Sequence, residues 1–126
     1  MKASRWLILL GAIVLVLSGF AHIIGYRLFI PALVKAGLSG ILLNAVKAVW
    51  IAYSVQFWVL SIVIALLSRI AGTRALLVLL AVIPVIDAVL MYHYVGLFLG
   101  TYMVGGGALL VVMGIGMTYR ETEARS

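Results

Sequence analysis

The chain has 126 residues, 67% of them hydrophobic, and 13 glycines lift the apolar share to roughly three quarters, against about 45–50% in soluble domains. Nine basic and three acidic residues carry its formal charge, and the mean hydropathy is +1.33. A soluble globule of this size cannot hide that much apolar surface, which excludes a soluble enzyme, a nucleic-acid module and a disordered tail and leaves a small integral membrane protein.

The basic residues stand singly between apolar runs, so the net charge of +6 reads as membrane flanks and not as a nucleic-acid surface. There is no cysteine, hence no disulfide framework, thiolate metal site or cysteine nucleophile.

A helix needs about 20 apolar residues to cross a hydrocarbon core roughly 30 Å thick. The first span is predicted over residues 6–24, from Trp6 to Ile24, after Lys2 and Arg5 and before Tyr26 and Arg27. Gly19-Phe20-Ala21 behind this run has the look of a signal-peptide cleavage site, but the apolar stretch is long for a signal core, so an uncleaved span is expected. Residues 28–46 are read as an interfacial segment in which Pro31 opens a short helix and Gly37 and Gly40 interrupt it.

The second span is predicted over residues 48–67, with its helix starting early, from Ile41. Such a helix is about 40 Å long and must protrude or tilt. The third covers 75–91 and contains Pro84, which removes one backbone hydrogen bond and predicts a kink. The fourth covers 96–118. Short connections at Ser68–Arg74 and near Tyr92–Gly96 predict that the second and third helices, and the third and fourth, are antiparallel neighbours. No alternation with a period of two residues appears, and the runs are about twice the length of a barrel strand. The expected fold is therefore all-α: one domain, a bundle of four transmembrane helices. Lys2, Arg5, Arg69, Arg74, Arg120 and Arg125 fall on one side and Arg27, Lys35 and Lys47 on the other, which predicts both termini inside. The charged tail Arg120–Ser126 is read as a solvated end.

Burial does not drive helices together in lipid, whereas small residues let backbones approach. Gly100, Gly107 and Gly114 recur at seven-residue spacing in the fourth helix, with Gly96 one step before them, and Gly11, Ser18 and Gly25 recur likewise in the first. These two faces predict close helix contacts, including contact with each other.

Asp87 is the one acid outside the tail, and an intramembrane Asp costs on the order of 3 kcal/mol unless it faces protein or water. With both termini inside, Asp87, His22, Lys47 and His93 share the outer half, with Tyr26 and Tyr53 near them. They predict either an Asp–Lys or Asp–His pair that orients helices, or a polar pocket. His22, His93 and Asp87 match no metal-ligand spacing, so no metal and no cofactor is assigned. Lys47, Trp50, Ser54, Trp58 and Ser61 form a stripe on the second helix, with Tyr53 and Gln56 on another flank. The Trp58 indole N–H, near mid-membrane, is expected to find a partner. Such a lining suits a flat apolar ligand such as a quinone or other lipid, and equally suits ordinary interhelical bonding.

The Trp50-x-x-x-Ser54-x-x-x-Trp58 step, with Gly19-Phe20-Ala21-His22 upstream, resembles small, functionally uncharacterised four-helix proteins of bacterial membranes. The resemblance covers these two patches, and Ile51 stands where that group often has a histidine. It implies a multi-pass protein of a bacterial inner membrane and carries no activity. The small multidrug transporters share size and span count, but their essential acid in the first helix has no counterpart here.

The residues thus predict a non-enzymatic membrane protein acting through helix association, as a homo-oligomer or a subunit of a larger complex in the bilayer. The alternative is binding or transport of a lipid-like molecule at His22, Asp87, Lys47, Tyr53, Trp50, Trp58 and His93.

Overall fold

The computed structural model describes residues 3–123. Lys2 and Arg125, both counted in the charge bias, and residues 124–126 of the tail lie outside them. The described residues form four helices: α1 (Ala3–Lys35), α2 (Gly40–Leu67), α3 (Arg74–Val95) and α4 (Leu99–Glu123). Each is long and apolar enough to cross a membrane by length and composition. The expectation of an all-helical chain with four such segments therefore holds.

The start of the interfacial segment differs from expectation. Pro31 opens no separate helix; it sits inside α1, which runs on to Lys35. Proline lacks only its own N–H, and the carbonyl it frees four residues back belongs to exposed Arg27, near a helix end. The real stop is Gly37, whose φ of 89° is the left-handed geometry that glycine tolerates best. Its N–H donates to the Val34 carbonyl and that of Leu38 to Leu33, each at 3.0 Å, which is the paired bonding of a Schellman ending. The second helix begins at Gly40, close to the early start expected at Ile41. Gly96 terminates α3 and does not begin α4: its φ is 88°, and its N–H is shared between the Met91 and Tyr92 carbonyls. Thr101 closes the turn by donating its hydroxyl to the Gly96 carbonyl at 2.8 Å.

The helices pack around a central pair. The closest association is α1 with α4; α2 lies against α1, and α3 against α4. The short Ser68–Thr73 connection does not make α2 and α3 close neighbours, because they touch at few points. The glycine seam draws the α1 and α4 backbones together, with α2 set against α1 and α3 against α4, so that α2 and α3 meet only loosely.

At that seam a Cβ on Gly11 would stand 2.7 Å from the Gly107 carbonyl oxygen, and one on Gly114 would stand 2.7 Å from the Ser4 carbonyl. Real Cβ atoms do not approach backbone that closely, so these helices meet at a distance only glycine permits. One apolar core joins all four helices through Ile8, Leu15, Phe57, Ile64, Leu77 and Val111, among others. The outward faces carry exposed Leu and Val in every helix, as a lipid-facing surface requires.

Candidate functional site

The polar residues of the apolar field divide into two groups, one between α1 and α2 and one between α2 and α3. The first is an aromatic cluster between α1 and α2. His22 stacks on Trp50, with ring centroids 4.5 Å apart and planes 19° from parallel. Phe29 packs on Trp50 at 5.1 Å, so α1 supplies two rings, one turn-pair apart, to hold one indole. The Trp50 indole N–H donates to the backbone carbonyl of His22 at 2.6 Å. Tyr53 and Phe57 extend the cluster, with centroids 6.1 Å and 6.4 Å from the His22 ring.

The second group is the Gln56–Asp87 pair. The Gln56 side-chain amide donates to an Asp87 carboxylate oxygen at 2.8 Å, linking α2 to α3. Asp87 is 6% exposed. A carboxylate placed in an apolar span must find a donor, and an amide supplies one without a second charge. This corrects the expected Asp–Lys or Asp–His pairing. Lys47 is half-buried near the start of α2, and no ion pair or hydrogen bond joins it, His22 or His93 to Asp87 among the described residues. Reach is the reason. Gln56 lies at the level of Asp87, whereas Lys47 sits nine residues, or about 13 Å, nearer the helix start.

His93 lies apart from both groups. It is exposed in the last turn of α3 and meets Tyr94 edge-on at 4.8 Å. His22, His93 and Asp87 therefore form no common ligand set, and no group of three or more His, Cys, Asp or Glu comes together among the described residues.

The Trp–Ser stripe of α2 is packed, not open. Its serines turn their hydroxyls back on their own helix: Ser54 donates to the Trp50 carbonyl at 3.2 Å and Ser61 to the Phe57 carbonyl at 2.5 Å. Trp58 lies against Gly19, whose missing side chain makes the room, and Phe20 tilts over it at 5.1 Å. The expected partner for Trp58 is not found: its indole N–H is buried without a hydrogen bond among the described residues. Packing against Gly19 has taken precedence over a bond worth about 1 kcal/mol.

The small residues also divide by neighbour. Gly11, Gly107 and Gly114 face the α1–α4 contact. Ser18 is buried and bonds back to the Val14 carbonyl at 2.9 Å. Gly25 instead faces α2, where a Cβ would meet the Trp50 ring at 3.3 Å. A seven-residue repeat drifts by about 20° per heptad on a straight helix, so two heptads carry the stripe from one neighbour toward the other. Gly100 serves the α3–α4 turn, against Phe98 and Met91.

Gln56 is noted from the sequence only as a flank of the second helix, and not as the partner of Asp87. Its signal was present, a lone amide near the middle of a span, but it lay outside the stripe that drew notice. No family model matches the chain, and none of the curated proteins or solved structures matches it.

Proposed function

We propose that this chain is a non-enzymatic, multi-pass membrane protein that acts by lateral association, as a homo-oligomer or as a subunit of a larger membrane assembly. The observation that carries the reading is the sparse α2–α3 contact, bridged by the hydrogen bond between half-buried Gln56 and buried Asp87. The glycine faces that first suggested association are occupied within the chain by α1 and α4, so the exposed flanks of α2 and α3 are the surface on offer. A polar pair in a loosely closed seam supplies what membrane helices use to recognise one another, a hydrogen-bonding group beside an apolar face. In this proposal both termini face the cytoplasm of a bacterial cell and the bilayer is its inner membrane.

Because the chain has no cysteine, single cysteines report contacts cleanly. Val59 and Leu90 are exposed and lie one turn from Gln56 and Asp87. Val59→Cys and Leu90→Cys should cross-link to a second protomer or a co-purifying chain in native membranes, while Leu109→Cys on α4 should not. A protomer-sized particle in mild detergent, with no cross-link from any of the three, contradicts the reading.

A second reading is a lipid-like or quinone-like ligand beside Asp87 and His22. It is favoured by the Asp87 carboxylate, which takes a single hydrogen bond, from Gln56, among the described residues. Native mass spectrometry should then find a retained small molecule that Asp87→Asn releases. An empty protein that Asp87→Asn leaves unchanged removes this reading.

A further inference from the structure

The start of α1, the α2–α3 connection and the end of α4 enclose a cleft of about 890 Å3 at one end of the bundle. That is the size range of small-ligand sites. Arg5, Arg69 and Arg74 stand around it, and Ile8, Leu67 and Leu77 line its apolar part. No acidic side chain lines it among the described residues. Arg5 donates its Nε to the Ser68 carbonyl at 3.1 Å, which fixes the guanidinium beside the loop while using one of its five donors. Arg74 lies over the Tyr119 ring at 5.6 Å, a cation–π contact that holds a second guanidinium at the same end.

Depth decides what chemistry such a cleft meets. The helices are of membrane length, so their ends fall at the headgroup level. Trp6 and Tyr119, both exposed, sit at this end as interfacial aromatics do. Guanidinium groups bind phosphate oxygens through paired N–H donors, and the apolar floor of Ile8 and Leu77 is buried. A free anion would have no use for that floor, whereas an amphiphile uses both parts.

We propose that this cleft is a binding site for the phosphate headgroup of an anionic phospholipid, held by Arg5 and Arg69, with the first carbons of its chains against Ile8, Leu67 and Leu77.

The test is native mass spectrometry of the full chain in neutral detergent, titrated with phosphatidylglycerol or with phosphatidylcholine. One phosphatidylglycerol should bind at least ~10-fold more tightly than phosphatidylcholine. A basic residue at an anionic surface contributes on the order of a fivefold factor, so R69Q should weaken phosphatidylglycerol about fivefold and R5Q/R69Q about 30-fold. Lys35→Gln, on the far end of α1, should leave binding unchanged. Arg69 is exposed, so R69Q keeps the comparison valid even where loss of the Arg5–Ser68 bond unsettles the double variant. Equal retention of the two lipids, or R69Q binding like the parent, overturns the proposal. Full displacement of the lipid by millimolar inorganic phosphate also overturns it, because the site would then hold a free anion.

Discussion

Asp87 shows what a single polar residue demands in an apolar helix. It is buried on α3, and its donor comes from Gln56 on the neighbouring α2. Removing either partner strands the other in an apolar setting, a cost of about 1–3 kcal/mol. Asp87→Leu and Gln56→Leu should each destabilise the protein in detergent by that order. The double variant should lose less than their sum, with a coupling of about 0.6 kcal/mol or more, the average for polar pairs between membrane helices. Additive losses would show that the bond contributes nothing. Trp50 offers a second test at this scale. Trp50→Phe keeps a ring against His22 and Phe29 but loses the N–H bonded to the His22 carbonyl, so it should cost about 1 kcal/mol. Trp58→Phe removes an N–H that has no partner among the described residues and should cost less. Thermal unfolding that ranks the two the other way contradicts the assignment. The residues that bear these contacts were legible in part. A lone Asp in a span announces that it needs a partner, but sequence spacing cannot say which neighbouring helix lies at the same depth. Lys47 looked the better partner on charge, and Gln56 is the one within reach.

The glycines govern packing between elements. Gly11, Gly107 and Gly114 lie where a Cβ would press on backbone or on a close side chain across the α1–α4 seam, while nothing lies within 4 Å of the same position on Gly116. Gly11→Ala and Gly114→Ala should therefore destabilise by about 1–3 kcal/mol, the usual cost of overpacking. Gly116→Ala should fall within about 1 kcal/mol of the parent, on the stabilising side, because alanine is the better helix former. Equal effects at Gly114 and Gly116 would contradict a close seam. Helix identity was readable because long apolar runs bounded by basic residues have few structural outcomes. Helix ends were less so. Pro31 looks like a beginning and is tolerated inside α1, while the stop depends on the positive φ at Gly37. The length of the Ser68–Thr73 connection limits how far apart two helix ends stand, but it does not make the helices pack along their length.

The whole molecule is arranged by these contacts into a tight α1–α4 pair with α2 and α3 on its flanks. Basic side chains gather at the end that holds Arg5, Arg69 and Arg74, while the Gln56–Asp87 link lies within the spans. Exposed leucine and valine on every helix are compatible with lipid around four helices long and apolar enough to cross a membrane. The central claim is four crossings of a bilayer, and the cysteine-free chain allows it to be tested directly. Ser39→Cys, Ala71→Cys and Leu97→Cys each place one exposed thiol in a different connection between helices. With both termini inside, as proposed, labelling with a membrane-impermeant maleimide should modify positions 39 and 97 in intact cells, and position 71 only after permeabilisation. Modification of all three from the same side would contradict the account.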